Sequence, residues 1–260
     1  MHLLLPRPGA PTSDAEVDVH AHYAAGWLQE EAVRVNFISS ADGAAAADGL
    51  SRQLQTPGDN TVFAALRDLA DVILVGAATA TAEGYRPSVP GARRQRLRSE
   101  FGLPPAPAIA VVSGQLNLEL DAPLYTEASL APTIVITGSA APVARRNDII
   151  DLAGSRSSLQ LLQVDSDASG GVDFAAAVAA LRAQGFRHIL CEGGPRLFAA
   201  GVAAGAIDEL CVSYSPKLIG PGAPRIVAGS AWPAAVDLEL TGLLAEDGAL
   251  FARYRLPRSH

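Results

Sequence analysis

Six short apolar runs, at residues 33–39, 72–75, 108–112, 133–137, 159–164 and 188–191, set the tightest limit on what this chain can fold into. Each is too short for a buried helix, and most are rich in Val, Ile or Leu, as strands covered on both faces are. Amphipathic stretches lie between several of them. Thr56-Pro57-Gly58-Asp59 reads as a capping box with Pro57 at the first helical position and Asp59 answering Thr56, and Phe63, Leu66, Leu69 and Ala70 continue as a helical stripe. A second helix is expected over 172–184, with Ala177, Val178 and Leu181 inward and Gly185 as its stop. After Asp208 the pattern becomes strands alone, at 209–214, 236–244 and 250–256, the last two joined at Glu246-Asp247-Gly248. The expected fold is α/β, a mostly parallel central sheet flanked by helices with a C-terminal antiparallel hairpin. No repeat and no long linker divides the chain, so 1–260 reads as a single domain: a core over 33–256 behind an N-terminal extension, residues 1–30.

Composition narrows the class. With 260 residues, 49% of them hydrophobic, the chain can bury a full core. The mean hydropathy of +0.20 comes from Ala scattered among Arg and Asp, and no apolar run approaches the roughly 18 residues of a spanning helix. Leu3-Leu4-Leu5 is too short for a signal peptide, so a cytoplasmic protein away from membranes is expected. A formal charge of −7 argues against a nucleic-acid partner, and Arg93, Arg94, Arg96 and Arg98 read as a solvated loop or helix face. Lys217, between Pro216 and Leu218, looks structural. Cys191 and Cys211 fit reduced core residues. His20, His22 and His188 lack metal-ligand spacing, so no metal is expected, and nucleophile-elbow, catalytic-cysteine and zinc-deaminase signatures are missing.

The chemistry concentrates at glycine turns. In residues 189–198 an apolar strand runs through Glu192 into Gly193, Gly194 and a helix-starting Pro195. Backbone without Cβ atoms beside a helix N-terminus is an anion cradle; the other reading is glycines needed only for the turn. The spacing is neither G-x-G-x-x-G nor a Walker loop. A second turn, Gly76-Ala77-Ala78-Thr79, also follows a strand, and ligands of open α/β sheets sit at such ends, so Gly76, Thr79, Gly193 and Gly194 could bind one extended cofactor. Glu83-Gly84-Tyr85-Arg86 puts a carboxylate, an aromatic ring and a cation in one loop, which could equally be a solvated turn. Asp42 ends the first strand, where an Asx turn before Gly43 is the plain reading.

In order, Ser40-Ala41-Asp42-Gly43, Leu66-Arg67 with Asp71, Gly76-x-x-Thr79, Glu192-Gly193-Gly194-Pro195-x-Leu197, Asp208-Glu209 and Pro216-x-Leu218-x-Gly220 resemble the reductase domain of bacterial riboflavin biosynthesis, the RibD C-terminal family. The chain is similar to divergent, stand-alone actinobacterial members without the deaminase domain. The resemblance implies a dihydrofolate reductase-like fold, NADPH as hydride donor, a homodimer, and reduction of the ribose of a 5-amino-6-ribosylaminouracil phosphate to ribitol. It implies a cofactor site at Gly76, Thr79, Glu192, Gly193, Gly194, Pro195 and Leu197, with Ser113 and Thr137 for the 2′-phosphate. Asn36, Ser40, Ser51, Arg67, Tyr85 and Arg86 are its substrate candidates. Asn36 stands where the family has Lys, Ala41 where it has Leu, Glu83-Gly84-Tyr85 replaces an Asp-x-Pro loop, and Pro57-Gly58-Asp59-Asn60 replaces a common Arg.

Hydride transfer to an imine-like carbon needs a proton at the neighbouring atom, which Asp42 or Glu83 could deliver. Arg67 and Arg86 suit a substrate phosphate, unless Arg67 pairs with Asp71 on its own helix turn. Dihydrofolate reduction on the same fold and a non-catalytic NADPH-binding protein are the alternatives.

Overall fold

A computed structural model describes residues 1–5 and 17–257. Residues 6–16 of the expected N-terminal extension, and 258–260, lie outside the described residues. In chain order the elements are β1 (His2–Leu5), α1 (Val19–Ala24), β2 (Ala32–Ser40), α2 (Pro57–Asp68), β3 (Val72–Gly76), α3 (Ala77–Ala82), α4 (Ala92–Glu100), β4 (Ala108–Val112) and α5 (Pro123–Thr126). They continue as β5 (Thr133–Gly138), α6 (Val143–Ser155), β6 (Leu159–Val164), α7 (Phe174–Ala183), β7 (His188–Cys191), α8 (Pro195–Ala203), β8 (Glu209–Ser215), β9 (Glu239–Glu246) and β10 (Ala249–Arg255). The expected α/β class is what forms. The chain divides into two compact units, Met1–Arg67 with Cys191–His260, and Asp68–Leu190.

The first unit lays its strands out as β1-β9-β10-β8-β2. β2 and β8 are parallel, and β8, β10, β9 and β1 follow antiparallel. Asp247 and Gly248 both have positive φ, 49° and 79°, so the β9–β10 connection is the tight two-residue turn whose twist suits a hairpin. β9 starts at Glu239 rather than 236, because its pairing begins opposite Arg255, where β10 ends. The Leu3-Leu4-Leu5 cluster forms the edge strand β1 against β9. Arg34 on β2 and Arg253 on β10 both bind the Glu209 carboxylate. Other nitrogens of the two reach the α1 region: Arg34 Nη2 donates to the Tyr23 carbonyl (3.0 Å), and Arg253 donates to those of His22 (2.9 Å) and Ala25 (3.1 Å). Arg34 also stacks 4.1 Å over the Trp27 ring. Burial pushes the Glu209 pKa up, but the two guanidiniums more than reverse that and leave it below the ordinary value.

The second unit has the order β7-β3-β4-β5-β6, with β3 to β6 parallel throughout. Ile73, Leu74, Val75, Ile109, Ala110, Val111, Ile134, Val135 and Ile136 are buried at its centre, consistent with strands covered on both faces. α7 begins at Phe174, not at 172, because the Asp173 side chain caps it by accepting from Ala176 N (2.8 Å). The arginine-rich stretch is helix α4, and the solvated reading fails for Arg98. Fully buried, Arg98 donates to the carbonyls of Pro104 (2.7 Å), Asp68 (3.0 Å) and Ala70 (2.9 Å), closing backbone acceptors that water cannot reach. Arg94 binds Asp68 at 2.7 Å. Asp71 Oδ2 accepts from the backbone N–H groups of Arg187 and His188, each at 2.9 Å, and lies 3.0 Å from His188 Nδ1.

Candidate functional site

In the first unit the predicted residues gather at the carboxyl end of β2 and the start of α8. Ser40 Oγ accepts from Ala44 N (2.9 Å) and donates to Asp42 Oδ1. The Asp42 carboxylate then accepts from Gly220 N (2.7 Å) and Ile219 N (3.1 Å). These hydrogen bonds, the Ser40 one foremost, hold its pKa down at about 2, so Asp42 is an anion that ties the turn after β2 to the segment after Pro216. Lys217 Nζ donates to Gln53 O at 2.6 Å, in keeping with a structural lysine. Ser51 opens a short 3-10 turn, Ser51–Gln53.

Glu192 and Arg67, predicted for cofactor and substrate, are brought to each other. Arg67 Nε and its NH2 group donate to the two Glu192 oxygens at 2.7 and 2.6 Å, while the guanidinium lies 4.3 Å over the Phe63 ring. A two-pronged pair with Glu192 almost wholly buried fixes the chain immediately before the glycines. Gly193 has φ +78°, and a Cβ there would lie 2.7 Å from Phe37 Cζ, so this glycine is demanded by backbone and neighbour alike. The Gly193–Gly194 peptide is cis. Gly194 is the N-cap of α8, Pro195 follows at its first turn, and no side chain caps the helix. The start of α8 thus offers unspent backbone N–H groups and partial positive charge, the chemistry of a phosphate site. Half-buried Leu197 lies in that first turn.

The second unit carries the other candidates. Gly76 closes β3 and is the N-cap of α3, also without a side-chain cap. Thr79 O accepts from Glu83 N at 2.9 Å, which puts Glu83 one turn on, as the C-cap. Tyr85 packs against the cluster containing Val75, Val111 and Val135. Arg86, predicted for phosphate, forms a two-pronged, largely exposed pair with Glu127. Thr137 is fully buried and its hydroxyl donates to Ser113 O at 2.8 Å, so the pair is joined but the Thr137 hydroxyl is already used.

One acid does not take the role expected of it: in the capping box Asp59 should answer Thr56, and its carboxyl does not. Thr56 caps α2 as expected, accepting from Asp59 N at 3.1 Å, yet the Asp59 carboxyl turns inward and is buried. The signal was available: Asp59, Val62 and Leu66 stand on one helical face, so an acid heads an apolar stripe. Asn36, a substrate candidate on β2, is buried with Oδ1 unpartnered among the described residues. No metal-binding cluster occurs among the described residues, and no helix there is long and apolar enough to cross a membrane. Cys191 and Cys211 are free and buried.

Known proteins share this architecture. A pyrimidine reductase-like protein of Corynebacterium diphtheriae superposes with a TM-score of 0.74 over 88% of this chain and 93% of its own, at 23% identity. The Saccharomyces riboflavin biosynthesis reductase Rib7 gives 0.65 over 94% and 93%, at 15% identity. In sequence, the 2,5-diamino-6-ribosylamino-4(3H)-pyrimidinone 5′-phosphate reductase of Archaeoglobus fulgidus is 25% identical over 224 residues, 85% of this chain and 97% of that protein. The chain therefore has the fold of these pyrimidine reductase-like proteins. More particularly, it belongs to the RibD C-terminal domain family, which matches residues 31–248.

Proposed function

We propose that this protein reduces a 6-ribosylaminopyrimidine phosphate of riboflavin biosynthesis, with NADPH as donor. The family match over 31–248 carries the reading, and the names of the relatives favour it over dihydrofolate reduction and over a non-catalytic NADPH-binding protein. A nicotinamide cofactor fits what the chain offers: a helix start of bare backbone N–H groups behind Gly193 and Gly194. Gly194, Pro195 and Leu197, in the first unit, are its proposed holders. When bound, it supplies a hydride to C1′ of the ring-opened sugar, and the adjoining nitrogen must take up a proton.

The residues divide that work. Asp42, an anion at any physiological pH, orders the loop after Pro216 and is a poor proton source. Glu83, half-exposed at the end of α3, is the better candidate to deliver a proton or fix the ring. Arg67, held by Glu192 in the first unit, presents a fixed guanidinium to a phosphate, and Arg86, held by Glu127, is a separate phosphate candidate of the second. Ser40, Ser51, Asn36 and Tyr85 complete the proposed substrate contacts. The reading extends to a cytoplasmic homodimer, supported by the exposed leucines Leu4, Leu240 and Leu250 on β1, β9 and β10, apolar surface that a second copy would cover.

Loss of nicotinamide absorbance, followed with the ribosylaminopyrimidine phosphate, with dihydrofolate and with NADH in place of NADPH, tests the proposal. Turnover of the pyrimidine with NADPH is expected. Turnover of dihydrofolate alone, or of neither substrate, overturns it.

A further inference from the structure

Asp59 is 5% exposed, and among the described residues no Lys, Arg or His pairs with it. Burial raises its pKa, and the nearby Ser213 hydroxyl pulls it only part of the way back. Ser213 Oγ nevertheless completes no hydrogen bond among the described residues, and neither does Ser215 Oγ, although the two serines are 2% and 1% exposed. Both lie on one face of β8, in register with Ile38 and Ser40 of β2, and the orphaned Asn36 Oδ1 belongs to the same face. A carboxyl without a cation beside buried hydroxyls without partners is a costly arrangement for a fold to keep, unless something it binds supplies the missing donors and acceptors.

We propose that the Asp59 carboxylate, beside the Ser213 hydroxyl, reads the pyrimidine ring of the substrate by accepting from an exocyclic amino group and the adjacent ring N–H. The site then selects a 2-aminopyrimidinone over the corresponding uracil. This deepens the reductase reading above and rests on it. The two oxygens of a carboxylate accept from two parallel N–H groups, the edge a 2-aminopyrimidinone presents. Uracil offers a carbonyl oxygen in place of the amino group, and that oxygen would face a carboxylate oxygen with no proton between them, which is a repulsive match.

The complementary variant makes the idea testable, because an asparagine amide offers one acceptor and one donor and so fits uracil. The NADPH-loaded enzyme is assayed with the 2,5-diamino-6-ribosylaminopyrimidinone phosphate and with its uracil counterpart, as wild type, Asp59→Asn and Ser213→Ala. Wild type is expected to favour the diamino substrate by about tenfold or more in kcat/KM. Asp59→Asn should erase or invert that preference, mainly through KM, and Ser213→Ala should weaken it in the same direction. Melting temperature distinguishes a structural role: Asp59→Asn should melt no lower than wild type, since it removes an uncompensated buried carboxyl. An unchanged preference in Asp59→Asn, or a wild type that prefers the uracil, overturns the inference while leaving the reductase reading intact. If wild type reduces neither substrate, the reductase reading falls. Calorimetric binding of free 2-amino-4-pyrimidinone against free uracil still decides the role of Asp59, equal affinities overturning it.

Discussion

The Asp42 carboxylate accepts from Ser40, Gly220 and Ile219 and carries a pKa of about 2, so its pH behaviour has a definite sign. A carboxyl whose folded pKa lies below its ordinary value contributes fully above that ordinary value, and the contribution disappears as pH falls through the folded one. The Ile219 and Gly220 amide resonances should hold their native shifts down to about pH 3 and move together only as pH approaches about 2; movement near pH 4 would mean the anchor does not form. In Asp42→Asn those two amides should exchange faster at neutral pH. Gly193 makes a second case at this scale. Alanine there combines a left-handed φ with a methyl 2.7 Å from the Phe37 ring, and unfolding in urea should show a loss of about 2–3 kcal/mol. Shortening Phe37 to Leu should restore only the part due to the clash. The cofactor cradle is therefore better probed by Gly194→Val, for which NADPH affinity should fall with little change in Tm.

Among the elements, α4 depends on one side chain. Replacing Arg98 by Met keeps the stem but leaves the carbonyls of Pro104, Asp68 and Ala70 without their donor, and a loss of about 3 kcal/mol or more is expected by denaturant titration. A variant as stable as wild type would mean water replaces the guanidinium. Nothing in the sequence around Arg98 marked it as buried, because four arginines within six residues have the pattern of a wet surface and the three acceptors are main-chain atoms. The strands of the second unit were legible because parallel strands covered on both faces must be short, apolar and unbroken. α7 and the C-terminal hairpin were legible from Gly185 and Asp247-Gly248, whose backbone angles few other residues take. β1 was less so, since a leucine cluster shows its partner strand only after β9 exists. At the candidate site the glycine turn after β7 could be read, whereas the pairings of Arg67 with Glu192 and Arg86 with Glu127 join residues far apart in sequence and could not.

At the scale of the whole molecule, the two units are held by different means. The first fastens its edge with the Arg34–Glu209–Arg253 cluster under α1, and the second rests on aliphatic strands. Lowering the pH protonates Glu209 only below the ordinary carboxylate range, so acid should loosen the region around α1 late, and hydrogen exchange resolved by segment would register it. The placement of the cysteines turns this into a question of observation. The chain has two thiols, Cys191 at the end of β7 and Cys211 on β8, both fully buried, both pushed by burial to a pKa of about 12. A thiol reagent therefore works as a two-handed clock: Cys211 reacts when the first unit opens, while Cys191, the last residue of β7, reacts when the second unit's sheet lets that strand go. Comparing the labelling rate with the loss of circular dichroism across a urea series would show, without a single introduced label, whether the units open together or one ahead of the other.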